Sequence, residues 1–170
     1  VYSVVFDLLP VRIPEVFPLG ADQIHTQWLQ TVSTFDGAIC ISKAVADDLA
    51  AWQAEAGFDW KSRRPFRIGW FHLGADVANF SPSQHLPDNA EWTIGQIQAR
   101  PSFLMVGTIE PRKGYLQAIE AFSQLWDEGI NVNLVIVGSE GWKHLPDSMR
   151  RDIPKTIDRL RSHAELNKRL

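Results

Sequence analysis

The stretch FLMVGTIEPRKGYLQ, residues 103–117, decides how this chain is read. Its four apolar residues at 103–106 are too few for a helix and suit a strand covered on both faces, as in a parallel sheet. Gly107 then lets the backbone turn tightly or come close to a ligand. Pro111 stops the strand and biases Glu110 toward an extended conformation. Arg112 and Lys113 follow, beside the first turn of a helix. A helix start carries unpaired N–H groups and partial positive charge. Two cations next to it make a phosphate site. Taken alone, the pair fits a solvated basic loop as well, because isolated basic pairs are common.

Toward the N-terminus the pattern alternates strands and helices. Residues 1–6 are β-branched and aromatic, and Asp7 ends that strand. Pro10, Pro14 and Pro18 argue against a regular helix over 8–19, which reads as a tied loop. A helix is expected over 21–32, with Ile24, Trp28 and Val32 as its apolar face. Residues 35–41 form the next strand, with Cys40 in its core. Ser42 caps a helix that runs to about 56, buries Val45, Leu49 and Trp52, and ends at Gly57. A third strand covers 67–72 and contains a structural His72. Strand–helix–strand–helix–strand implies α/β architecture with a parallel sheet.

Residues 74–100 carry Pro82, Pro87 and scattered polar side chains, with a short helical piece near 91–98. So long a connection marks a domain boundary. The expected division is 1–80, a linker over 81–101, and a second domain over 102–170. In the second domain a helix over 113–128 turns Tyr115, Ile119, Phe122 and Trp126 inward. Residues 133–137 form a second buried strand, ended by Gly138. Gly141 and Trp142 lie in the next loop. A last helix over 152–163 accepts Pro154 in its first turn and faces Ile157 and Leu160 inward.

Composition narrows the function classes. A net charge of −3 lacks the basic footprint of non-specific nucleic-acid binding. One cysteine excludes an internal disulfide framework and a cysteine-cluster metal site. The five histidines share no metal-ligand spacing. No apolar run approaches the roughly 20 residues needed to cross a bilayer, and no signal peptide is visible. No G-x-G-x-x-G follows any expected strand, which argues against a nicotinamide-dependent Rossmann enzyme. The ends, at Val1 within a strand and after Asn167, suggest an internal piece of a longer protein.

Four segments carry a resemblance to a known family. FLMVGTIEPRKGYLQAIEAFSQLW resembles the opening strand, loop and helix of the donor-binding domain of GT-B glycosyltransferases of retaining family 4, also called group 1. ICISKAVADDL resembles the strand and helix near the end of that family's N-terminal domain, and LGADVANFSP the passage between domains. VVFDLLPVRIPEVFP is similar to a loop of mannosyltransferase-like members. The matches run in the right order over nearly the whole chain.

The resemblance implies two Rossmann-like parallel-sheet domains of GT-B type, both present in part. It implies a nucleoside-diphosphate sugar donor, GDP- or UDP-linked, and no separate cofactor or metal. The acceptor would be a glycan or lipid-linked, in polysaccharide or lipopolysaccharide synthesis. Lys113 matches the lysine of the family's basic pair. Its companion arginine is usually placed where this chain has Thr108, and Arg112 is the candidate to take over that charge. The family's cleft histidine falls at Phe6, with Asp7 next to it. Its paired glutamates would lie beyond the last helix, so these residues alone are not expected to catalyse. The expected location is cytoplasmic, at the inner face of the membrane. Peripheral membrane contact and self-association through uncovered sheet edges stay open.

Glycosyl transfer from such a donor builds negative charge on the departing diphosphate, and fixed cations and N–H dipoles aimed there lower the barrier. Ligands of open α/β sheets sit at the carboxyl ends of strands. The donor-site candidates are therefore Gly107, Thr108, Arg112, Lys113 and Gly138. Asp7 is the one candidate for catalysis, and a turn cap explains it equally well. Trp142 either stacks near the nucleotide or closes its loop. The alternative reading is a non-catalytic GT-B relative that binds nucleotide sugars, suggested by Phe6 and Thr108 at the family's histidine and arginine positions.

Overall fold

The structure is a computed structural model that describes residues 1–57, 65–75 and 88–162. Residues 76–82 of the passage between domains, together with His85, Pro87 and His163, lie outside the described residues. The chain divides into two compact units, Val1–Phe80 and Ser81–Leu170. Both are α/β, with parallel strand pairing throughout the described residues.

In the first unit β1 (Tyr2–Val5), β2 (Gly37–Cys40) and β3 (Arg67–Trp70) form a sheet in the order β1-β2-β3. Helices α1 (Leu9–Arg12), α2 (Ala21–Val32) and α3 (Lys43–Glu55) connect them. The register aligns Val5, Cys40 and Trp70 on one face. Val5 and Cys40 pack there with Leu29, Val32, Leu49 and Trp52. Burial raises the pKa of the Cys40 thiol, in keeping with a core role. Tyr2, Val4 and Ile39 stand on the opposite sheet face and stay 41–50% exposed. Alternation along β1 and β2 thus separates a covered face from an open one, while Trp70 at the end of β3 stays 49% exposed. Ser42 caps α3 as expected, its hydroxyl accepting the Val45 N–H at 3.2 Å.

Three expectations for this unit need correction. The proline-rich segment is not wholly irregular, because Pro10 falls in the first turn of α1, where its missing N–H has no helical partner to lose. A 3-10 turn at Pro14–Val16 follows. The segment is well tied: Leu8 is 1% exposed, and Arg12 pairs with Asp48 at 2.7 Å and Glu55 at 2.6 Å on α3. The buried face of α2 is set by Leu29 and Val32, while Ile24 is 71% exposed and Trp28 37%. His72 lies past the end of β3, exposed, with its ring 5.1 Å from that of Trp70.

In the second unit β4 (Ser102–Val106) and β5 (Asn133–Val137) pair in register along their whole length. Helices α4 (Ala90–Gln98), α5 (Tyr115–Asp127) and α6 (Ile153–Ser162) belong to it. The Asn133 side-chain amide donates to the Gln96 carbonyl at 3.0 Å and so ties α4 to β5. Tyr115 and Ile119 from α5 meet Leu160 from α6 and Met105 and Ile136 from the strands. Phe122 packs edge-on to Phe103 with ring centres 5.3 Å apart, and the Trp126 indole donates to the Val132 carbonyl at 2.8 Å. The doubly covered β4 expected from sequence is not found. Leu104 is 65% exposed and Val106 68%, because the helices of this unit cover the other face.

Candidate functional site

The loops that leave β4 and β5 are joined as one piece. Past the strands the ladder continues, with the Gly107 N–H donating to the Val137 carbonyl at 2.9 Å and the Ile109 N–H to Ser139 at 2.8 Å. The Gly141 N–H returns to the Ile109 carbonyl at 3.2 Å. Glycine is required at the crossing. A Cβ on Gly138 would lie 1.9 Å from the Gly107 carbonyl oxygen. Gly107 itself has φ +146°, a conformation that L side chains rarely adopt. Both candidate glycines therefore sit together at the carboxyl edge of the sheet, where open α/β sheets bind ligands.

The chain then makes a 3-10 turn at Pro111–Lys113, and Gly114, at φ +70°, redirects it into α5. This hairpin-like path brings the Lys113 side chain back over the glycine turn. Its Nζ lies 3.9 Å from the point a Cβ on Gly107 would occupy. Lys113 is exposed; its backbone N–H donates to the Glu110 carbonyl at 3.0 Å, and no hydrogen bond or ion pair engages its ammonium group among the described residues. Arg112 behaves differently. Its Nε donates to Glu110 at 2.8 Å, in a pair whose carboxylate side chain is only 11% exposed. The structure thus brings Gly107, Thr108, Lys113 and Gly138 together and turns Arg112 toward Glu110.

Two features were not read from sequence. The Tyr115 hydroxyl donates to the Gly107 carbonyl at 2.6 Å, whereas the helical pattern implies only that Tyr115 faces inward. Burial, and then the nearby Glu110 charge, raise the pKa of this phenol, which stays protonated and able to donate. Arg150, 6% exposed, pairs with Glu140, with Asp147 at 2.8 Å, and with the Gly141 carbonyl at 3.2 Å. It anchors the loop after β5 to the segment that leads into α6. Its hydrogen bond holds the Glu140 carboxyl below the ordinary glutamate value. A tyrosine at a helix start gives a weak clue to such a bond, and a loop arginine ten positions from its partner gives none.

Asp7 is in the first unit, after β1. Its Oδ1 accepts the Leu9 N–H at 3.1 Å, an Asx turn that starts α1. Its carbonyl accepts from His25 Nε2 at 3.1 Å. An open groove of about 280 Å³ lined by Val4, Phe6, Asp7, His25 and Trp28 lies beside it. Trp142, at φ 48°, closes a turn in which its carbonyl accepts the Leu145 N–H at 2.9 Å. Among the described residues no three His, Cys, Asp or Glu gather to hold a metal ion.

Residues 90–159 match the family described as glycosyl transferases group 1. That span runs from α4 into α6 and contains the whole Gly107–Lys113–Gly138 arrangement. Over 168 residues, 98% of this chain, the sequence is 42% identical to a serotype-specific mannosyltransferase WbdA of Escherichia coli. Two further WbdA sequences of the same species are 41% identical over 169 residues. The chain spans only about a fifth of the length of these relatives. No solved structure matches it. The match to the glycosyl transferases group 1 family thus rests on residues 90–159, the segment that carries the loops after β4 and β5.

Proposed function

We propose that this chain forms part of a retaining glycosyltransferase. It would transfer a sugar, mannose by its likeness to WbdA, from a nucleoside-diphosphate sugar to a glycan or lipid-linked acceptor during polysaccharide or lipopolysaccharide synthesis. The observation that carries this reading is that the family match falls on the loops after β4 and β5, where Lys113 overhangs a glycine-only turn. In this reading the turn at Gly107 and Thr108 lets the backbone approach the diphosphate, and Gly138 lets the two loops close on each other. Lys113 supplies positive charge as the sugar–phosphate bond breaks. Arg112 contributes its charge at longer range, because Glu110 holds its Nε.

The donor would be GDP- or UDP-linked, and the reaction would run in the cytoplasm at the inner membrane face. No described helix is long and apolar enough to cross a membrane. The open apolar faces of both sheets are consistent with self-association. Calorimetry of the full-length protein with GDP- and UDP-linked sugars tests the assignment, and a folded protein that binds neither would refute it. A non-catalytic nucleotide-sugar-binding module is the second reading. It is favoured by Phe6 and Thr108 at the positions of the family's histidine and arginine, together with the Arg112–Glu110 pair. Formation of a glycosylated product by the full-length protein would eliminate it.

A further inference from the structure

We infer that Tyr115 is a positioning residue for the diphosphate, acting through the peptide that joins Gly107 to Thr108. This rests on the donor-site reading above. The Tyr115 hydroxyl holds the Gly107 carbonyl at 2.6 Å, and Tyr115 is 3% exposed, so water does not compete for that oxygen from the same side. In a trans peptide the following N–H points opposite to the carbonyl. Fixing the Gly107 carbonyl toward Tyr115 therefore turns the Thr108 N–H away from the core. The neighbouring amides are committed, Gly107 to Val137 and Ile109 to Ser139, whereas the Thr108 N–H has no acceptor among the described residues. Thr108 is exposed, and the Lys113 ammonium sits above the adjacent Gly107. An outward N–H beside a cation is the donor set that a phosphate oxygen takes up.

Glycine makes this arrangement conditional. Gly107 can occupy backbone conformations closed to other residues, so its peptide is free to rotate unless something pins it. The ladder bond from the Gly107 N–H fixes the preceding peptide, and Tyr115 fixes the next one. Orienting the donor before the ligand arrives spares the ordering cost on binding.

The test uses the full-length protein with GDP and UDP as probes, measured by calorimetry beside thermal unfolding. Tyr115→Phe removes one oxygen and keeps the ring in the core. We expect whichever diphosphate the wild type binds to bind about three- to tenfold more weakly, the effect of one lost hydrogen bond. Binding of the matching nucleoside, which lacks phosphates, should not change. Phe122→Leu weakens packing on the same helix without touching the Gly107 peptide, and should lower the unfolding midpoint while leaving diphosphate affinity intact. The inference is overturned if Tyr115→Phe binds the diphosphate as the wild type does, if nucleoside binding falls by the same factor, or if Phe122→Leu weakens it equally. A folded wild type that binds neither diphosphate overturns the donor-site reading and this inference with it.

Discussion

Substitution of Gly138 by alanine tests the joined loops most sharply. The added Cβ would meet the Gly107 carbonyl oxygen at 1.9 Å and its carbon at 2.8 Å, both backbone atoms. Comfortable contacts to a carbon lie near ~3.5 Å, so the two chain segments must part by roughly 1.5 Å. That movement breaks the Gly107 N–H bond to Val137 and the Tyr115 hydroxyl bond to Gly107. Each is worth about 0.5–1.5 kcal/mol, and residual overpacking adds about 1 kcal/mol or more, for a total of about 2–4 kcal/mol. In urea this lowers the unfolding midpoint of the second unit by about 1–2 M. Gly129→Ala is the control. Gly129 has φ +78° with nothing within 4 Å of its notional Cβ, so only backbone strain of about 1 kcal/mol is expected. Equal stability of Gly138→Ala and wild type, or equal losses in the two variants, would refute the close crossing of the two loops.

Other expectations concern charge and helix composition. Lys113→Ala should weaken diphosphate binding at least tenfold by calorimetry, reduce its salt dependence, and leave the unfolding midpoint unchanged, since the side chain is exposed. If the full-length protein transfers a sugar as proposed, turnover assays should show the same change removing roughly 2–4 kcal/mol of transition-state stabilisation. Glu140 has a folded pKa below its unfolded one, so its contribution to stability is complete above the ordinary glutamate value and is lost as pH falls through the depressed value. Thermal midpoints measured from about pH 6 down to about pH 2 should show this acid loss in the wild type and a reduced loss in Glu140→Gln. Gly95 lies inside α4 with open space around it, and Gly95→Ala should raise stability by about 0.5–1 kcal/mol in urea unfolding.

Local signals made much of the fold legible. The β5 span at Asn133–Val137 and the α2 span at Ala21–Val32 coincide with the expected ranges, because β-branched runs and glycine punctuation act over a few residues. Ser42 was readable as a cap for the same reason. What failed depends on neighbours. The spacing of Ile24, Trp28 and Val32 defines a helical stripe, but which stripe faces the sheet is set by how α2 docks, and docking buries Leu29 with Val32 and leaves Ile24 and Trp28 outside. The apolar run at 103–106 suggested two covered faces, yet a hydrophobic pattern does not say which segment covers a strand. At the candidate site, the closeness of Lys113 to Gly107 follows from the strand–glycine–cation order. The Tyr115 hydroxyl bond and the Arg150 anchor were not legible, since each depends on a partner fixed by the three-dimensional path of a loop.

Calorimetric titration of the full-length protein with GDP- and UDP-linked sugars, repeated on Lys113→Ala, tests the central claim most directly. The account predicts saturable binding of one nucleotide sugar by the wild type and at least tenfold weaker binding by the variant. Absence of binding by a folded wild type, or equal affinity in the two proteins, would contradict the assignment of the loops after β4 and β5 as the donor site.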